Sequence, residues 1–330
     1  MALNFEKEKL AEELRKIRPK KILVQLPEGL KQNAPEILEE IENLGLDIEV
    51  IFSGETCWGG CSVSVQEAKA LGADLIVHFG HAKFLNVDFP VVYIDVRDEL
   101  NIEPYLQRSL EALQNFKTIG LSYSIQHKHD IEKIKNFYAN HGKIVILSKK
   151  IGYVAHEGHI VGCQYHGLLA IQDKVDCFVI IGNQFHSMGA VLAVKKPVIL
   201  VDVYNDEVKT MENLREKILK QRLMCIEKFR QAKNIGIIME IKLGQKFGSP
   251  EYLIEKLKQQ GKNPIVITMN EITPEKIMNF YNIDAFIELA CPRIAIDDFA
   301  KYEKPILTFK EALIAFGVTS WEDALKQGIL

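Results

Sequence analysis

The stretch Asp284–Asp298, DAFIELACPRIAIDD, reads as a short buried strand that ends directly in a cysteine. Ala285–Leu289 is apolar apart from Glu288 and is bounded by polar residues, the pattern of a strand inside a parallel sheet. The phrase recurs as DLIVHFGH at Asp74–His81 and as DCFVIIGN at Asp176–Asn183. Six residues after each aspartate stands a small residue, Gly80, Gly182 or Ala290, and the next position holds His81, Asn183 or Cys291. A second apolar strand, opened by proline, follows each copy: PVVYIDV from Pro90, PVILVDV from Pro197 and PILTF from Pro305. The aspartate-to-proline spacing is sixteen residues in the first copy and twenty-one in the other two. One α/β unit used three times explains these matches. The expected fold is therefore α/β, with three similar parallel-sheet lobes around a pseudo-threefold centre. Their expected bounds are 1–100, 101–205 and 206–330, the last including a long linking helix from Asn205 to about Lys233.

The whole chain fits this picture. Its 330 residues would suggest about two domains by length alone, but lobes of roughly a hundred residues are a common domain size. A content of 47% hydrophobic and 26% charged residues is that of a soluble globular protein with ample core. A net charge of -3 argues against a general nucleic-acid binder, which needs a basic face. No apolar run reaches membrane-span length, and the N-terminus MALNFEKEKLAEEL is helical in period and charged, unlike a signal peptide. The expected location is the cytoplasm, where six cysteines are not expected to form structural disulfides.

Read in order, the first lobe places strand Lys21–Leu26 before the polar break Pro27-Glu28-Gly29, at the sheet edge where open α/β folds bind ligands. The glycine-rich loop SGETCWGGCSV, Ser53–Val63, carries Cys57 and Cys61. In the second lobe a loop rich in glycine and histidine leads to Cys163 at the start of an expected helix, Gln164–Ile171. Cys61 precedes Asp74 by thirteen residues, and Cys163 precedes Asp176 by thirteen. The third lobe lacks a cysteine there and carries Cys291 at the end of the next strand instead. Each lobe thus offers one cysteine from the carboxyl edge of its sheet, and a threefold arrangement with those edges inward lets the three converge.

Convergent thiolates in a reducing compartment point to a metal. Structural zinc prefers four closed ligands in paired knuckles, and Cys57-x3-Cys61 is at most half of one. Soft thiolates also select iron–sulfur clusters, and three protein ligands on a four-iron cluster leave one iron open for substrate. The metal ligands expected from the repeats are Cys61, Cys163 and Cys291. Cys61 and Cys163 are expected at helix N-termini, where the dipole favours thiolate. Cys177, mid-strand, and Cys225, mid-helix, read as packing residues. Cys57 is open between a spare ligand, a redox partner of Cys61 and a plain loop residue.

The phrases QLPEGL (Gln25–Leu30), CWGGC (Cys57–Cys61), DLIVHFGHA (Asp74–Ala82), VGCQ (Val161–Gln164), GNQFH (Gly182–His186), VDVYNDEV (Val201–Val208) and ACPRIAIDD (Ala290–Asp298) together resemble the archaeal diphthamide synthase family. They span nearly the full chain. Val203 stands where the family more often has proline. The resemblance implies a [4Fe–4S] cluster at the meeting point of three lobes, held by Cys61, Cys163 and Cys291. It implies a radical S-adenosylmethionine enzyme without the usual C-x3-C-x2-C loop, which this chain also lacks. Reductive breakage of the Cγ–S bond would release methylthioadenosine, and the 3-amino-3-carboxypropyl group would join C2 of a histidine of translation elongation factor 2. A homodimer and an electron donor are the further partners so implied.

Around the cluster the candidates are Arg293, two residues past a ligand and able to grip a substrate carboxylate, with a lobe–lobe salt bridge as its structural alternative. Gln25, Glu28, His81, Gln184 and His186 are candidate S-adenosylmethionine contacts, each with a purely structural role as the alternative. Asp297 and Asp298 read as caps of the next helical turn, and His156 with His159 as a solvated loop. The competing functions are a quinolinate-synthase-like [4Fe–4S] dehydratase and a cluster-bearing electron-transfer subunit.

Overall fold

In the computed structural model, which describes residues 3–330, the three repeats become three sheets of one topology. The first runs, in spatial order, Glu49–Phe52, Lys21–Gln25, Leu75–Phe79 and Val91–Ile94. The second runs Ile144–Leu147, Thr118–Tyr123, Cys177–Ile181 and Val198–Asp202. The third runs Asn263–Met269, Asn234–Glu240, Ala285–Glu288 and Ile306–Leu307. All these pairings are parallel. The central strands are fully buried, as strands covered by helices on both faces must be.

The recurring aspartate has a physical cause. Asp74 accepts the backbone N–H groups of Lys20 and Lys21 at 2.8 and 2.9 Å. Asp176 accepts those of Lys117 and Thr118 at 2.8 and 2.7 Å, and Asp284 those of Lys233 and Asn234 at 3.0 and 2.7 Å. Each carboxylate thereby ties the start of its strand to the start of the neighbouring first strand. Two backbone donors hold each carboxyl below the usual range. The register follows: Ile22 faces Leu75, Ile119 faces Cys177, and Ile235 faces Ala285. With the amino ends pinned, the carboxyl ends of all three sheets are left to carry the loops.

The linking segment differs from expectation. Residues 205–211 do not join the helix. Glu207–Thr210 returns as an antiparallel edge strand against Val198–Asp202, and the helix is Glu212–Gln231. Asp202 causes this. Its carboxylate accepts the N–H groups of Tyr204 and Asn205 at 3.0 and 3.2 Å, and Asp206 takes a left-handed φ of 54°. That turn competes with helix at its first residues. The expected Gln164–Ile171 helix likewise shrinks to His166–Leu169.

The linking helix is bound to the third lobe by a buried ion pair. Arg222 donates to both oxygens of Glu311 at 2.6 and 2.7 Å, to the Ala295 carbonyl at 2.6 Å and to the Ile306 carbonyl at 2.7 Å. Leu168, Phe178, Ile226, Phe229 and Ile287 belong to one core that joins the second and third lobes. Among the described residues no helix is long and apolar enough to cross a membrane.

Candidate metal centre

The three cysteines lie where the lobes meet. Cys61 is in the loop after strand Glu49–Phe52, and a loop of the third lobe closes on it. Gly244 donates to the Cys61 carbonyl at 3.0 Å, and the Gln245 amide reaches the Cys61 thiol at 3.5 Å. A Cβ on Gly244 would stand 2.6 Å from the Cys61 Cα, so glycine is needed for this approach. Cys163 follows Gly162, whose carbonyl accepts the Tyr165 hydroxyl at 3.0 Å and Arg293 Nη1 at 3.3 Å. Cys291 is the N-cap of helix Pro292–Asp297. Arg293, on that helix, thus binds the Cys291 segment of the third lobe to the Cys163 segment of the second. The first and second lobes are joined by Gln126, which donates to the Gly80 carbonyl at 2.9 Å, and by Lys128 with Asp95 at 3.2 Å.

The environment of each thiol opposes its ionisation. Burial pushes the Cys163 thiol up to about 12, and the neighbouring Cys61 adds to the push. Burial raises Cys291 well above its ordinary value, with both Cys163 and Cys61 contributing. Burial also raises Cys61, against the Gln245 hydrogen bond that favours its thiolate. Half-buried thiols, two of which feel their neighbours' charge, are a good site for a cation. They do not close round a single ion: among the described residues the group of three donors lying within 4.8 Å of one another is Cys57, His78 and His81. A multinuclear core, with its ligands on separate irons, suits a wider thiol triangle.

Two expectations about the cysteines need correction. Neither Cys61 nor Cys163 begins a helix; the helices that follow start at Val65 and His166. Ser62 and Ser64 are held by Gln25, which keeps the chain extended beyond Cys61, and a turn pairing Val161 with Gln164 does the same for Cys163. Cys291 is the thiol at a helix start. Cys177 is core, and Cys225 packs against the Ile306 carbonyl. Cys57 is buried rather than a plain loop residue.

The other candidates separate clearly. Arg293 is buried, stacks over Phe185 at 4.1 Å and donates to Asp297 at 2.6 Å, so Asp297 holds an arginine rather than capping a helix. Asp298 pairs with Lys301 and makes no side-chain cap. Gln25 is fully buried and its amide is used by Ser62, Ser64 and His78. Glu28 accepts the Cys57 N–H at 3.2 Å and pairs with Lys31 at 2.9 Å. His81 is half-buried and sits 3.1 Å from His78. Gln184 is exposed and accepts Lys209 at 3.0 Å. His186 has a buried Nδ1 with no partner, and burial lowers it to about 3 with Arg293 adding to the shift. Arg293 Nε and Asp297 Oδ1 are also buried without partners. Orphaned polar atoms gathered at one centre are what a polar ligand would satisfy. His159, expected in a solvated loop, is buried, because its strand-like pairing with Tyr123 draws the loop inward.

Similarity to known proteins agrees with this geometry. The diphthamide synthesis protein family matches residues 26–326. The chain belongs to that family. The 2-(3-amino-3-carboxypropyl)histidine synthase of Pyrococcus horikoshii is 28% identical over 96% of this chain and 92% of its own length. The enzyme of that name from Methanocaldococcus jannaschii is 28% identical over 93% of this chain and 88% of its own. The crystal structure of Dph2 from Pyrococcus horikoshii with a 4Fe-4S cluster matches at a TM-score of 0.87 and 27% identity, over 97% of this chain and 93% of that one.

Within this diphthamide synthesis fold, sequence reasoning overlooked His78, Tyr165, Phe185 and Gln245. For His78 a signal was present. The fifth position of the repeated phrase holds His78, Ile180 and Glu288, and two polar residues in an otherwise apolar strand call for an explanation. Glu288 is buried and accepts the Ala290 N–H at 2.8 Å, which shapes the turn into Cys291. Tyr165, Phe185 and Gln245 gave no comparable pattern.

Proposed function

We propose that this chain is a 2-(3-amino-3-carboxypropyl)histidine synthase. It transfers the 3-amino-3-carboxypropyl group of S-adenosylmethionine to C2 of a histidine on a protein substrate, the first step of diphthamide synthesis. The observation that carries the reading is the set of three half-buried thiols, one from each lobe, in a fold shared with a 4Fe-4S protein of the same family. We assign Cys61, Cys163 and Cys291 as cluster ligands. When bound, the cluster supplies the electron that breaks the Cγ–S bond and leaves methylthioadenosine.

The chain's own residues would do the rest. Arg293, fixed by Asp297 and Phe185, offers its unpartnered Nε edge to the carboxylate of the methionine moiety. His186, kept neutral by burial, presents an Nδ1 free to accept a hydrogen bond. Gln25 acts by position: its amide holds Ser62 and Ser64 beside Cys61. Glu28 fixes the Cys57 end of the same loop. Gln245 donates toward the Cys61 sulfur, an interaction of the kind that tunes a cluster's potential. Gln184 lies at the exposed rim, where a macromolecular substrate would arrive.

The protein substrate we assign is translation elongation factor 2, with a second copy of this chain and an electron donor as further partners in a cytoplasmic setting. The test is anaerobic purification followed by reductant and S-adenosylmethionine. Methylthioadenosine, together with labelled elongation factor 2 when a carboxyl-labelled substrate is supplied, is the expected result. A cluster-loaded protein that yields neither would reject the reading.

A further inference from the structure

We propose that Cys57, His78 and His81 form a second metal site, for one borderline divalent cation of the zinc type, separate from the triangle of Cys61, Cys163 and Cys291. One donor atom from each of the three lies within 4.8 Å of the others. Cys57 and His78 are almost wholly inaccessible, and His81 is half-buried. All three come from the first lobe, whereas the thiol triangle takes one residue from each lobe.

The hydrogen bonds around His78 fix its chemistry. The Gln25 amide nitrogen donates to the Ser62 carbonyl at 2.7 Å and to the Ser64 hydroxyl at 2.9 Å. Its oxygen accepts the Ser64 N–H at 3.2 Å, so the orientation of the amide is settled. That same oxygen lies 2.9 Å from His78 Nδ1, which must therefore carry the proton. His78 Nε2 is left as a lone pair. A ring nitrogen that donates to an amide oxygen while the other is free is how metal-binding histidines are held.

The free nitrogen points to its partner. His78 Nε2 lies 3.1 Å from His81 Nδ1. Two nitrogens on one tetrahedral zinc, each bonded at about 2.0–2.1 Å, stand about 3.3–3.4 Å apart. A small opening of the pair admits the ion, and His81 then moves its proton to Nε2. Cys57 adds a soft sulfur donor. The loop that carries it is held against the His81 turn, since a Cβ on Gly60 would stand 2.6 Å from the Ala82 carbonyl. Its other end is fixed by Glu28, which accepts the Cys57 N–H at 3.2 Å. One sulfur and two imidazole nitrogens with a fourth place open is the ligand set of a zinc ion that binds water or a substrate atom.

The experiment counts metals. Full-length protein, loaded with its cluster under anaerobic conditions, is given a slight excess of zinc sulfate, desalted and analysed by mass spectrometry for iron and zinc. The expected wild-type result is roughly one zinc beside the cluster iron, with about one proton released per zinc as the thiol ionises. Cys57→Ala and His81→Ala are each expected to lose at least ~90% of the zinc and to keep their iron. These positions are chosen because His78→Ala risks the fold. Cys163→Ala is expected to lose iron and keep zinc. No zinc in the wild type, zinc that persists in both variants, zinc taken up only when iron is absent, or joint loss of both metals in Cys57→Ala and His81→Ala would each overturn the proposal. Iron reports on the cluster and zinc on this site, so failure of either reading shows separately.

Discussion

Replacing Arg222 with methionine tests how the third cysteine is held. The substitution keeps a long side chain but removes four short hydrogen bonds in a site where both Arg222 and Glu311 are fully buried. It leaves the Glu311 carboxylate without its partner, the Ala295 carbonyl without its guanidinium donor and the Ile306 carbonyl with only the weak Cys225 thiol at 3.6 Å. Breaking a buried pair from one side costs about 3–5 kcal/mol, and each orphaned carbonyl adds about 1 kcal/mol at the low end. Glu311 still accepts the Thr308 N–H at 2.9 Å, which keeps the cost near the low end of that range, so a net loss of about 5 kcal/mol is expected. Ala295 lies on the helix that begins at Cys291, so iron should also leave the variant faster than the parent. The assay is urea unfolding of the cluster-free chain at neutral pH, with iron release followed separately on the loaded protein. Met at both 222 and 311 should recover much of the loss, apart from about 1 kcal/mol for the lost helix cap. A single variant within ~1 kcal/mol of the parent, or a double variant as weak as the two singles summed, would refute the reasoning.

Four further outcomes are expected. Cys61→Ala, Cys163→Ala and Cys291→Ala should each lose most of the iron, whereas Cys177→Ala and Cys225→Ala should retain it, by iron and sulfide analysis. Arg293→Ala should keep the cluster and release methylthioadenosine at least ~100-fold more slowly, as expected when a positioning group is lost; unchanged turnover removes Arg293 from the site. Burial lowers His159 from 6.5 to about 4. The unfolded chain takes up a proton there that the folded chain refuses, so stability is full above pH 6.5 and falls toward pH 4. The fall is up to about 3 kcal/mol, and His159→Asn should remove that part of the slope in unfolding titrations. Asp176→Ala should lower the melting temperature at pH 7. Because the folded carboxyl titrates below its ordinary value, the gap between variant and parent should close as the pH falls below 3.8.

Much of the architecture was legible because it repeats. Aspartate, apolar strand and small residue recur at fixed spacing, with a proline-opened strand after each, and the clamp from each aspartate to two backbone N–H groups explains why the residue recurs in all three copies. The expectation that Cys61, Cys163 and Cys291 converge came from the same repeats. What was missed rests on side chains acting on the backbone at one place only. Asp202 turns the chain into a hairpin where helical periodicity ran on. Gln25 holds Ser62 and Ser64 in extended chain, so Cys61 lies ahead of the helix that starts at Val65 instead of at its N-terminus. His78 is a single polar residue in a strand whose neighbours are all core, and its role depends on Gln25, fifty-three positions away in the chain. Arg293 was read with two roles open; its contacts with Asp297, Gly162 and Phe185 show how firmly it is held, which composition and spacing do not convey.

No single lobe owns the proposed thiol triangle. Gln245 meets Cys61 and Arg293 meets Gly162 at the seams between lobes, so the proposed corners can meet only once those seams have formed. On that reading, loading with iron is a form of proofreading. A chain in which one lobe is misfolded or undocked should stay colourless, and the brown colour of a preparation should measure the fraction of molecules whose lobes have come together correctly.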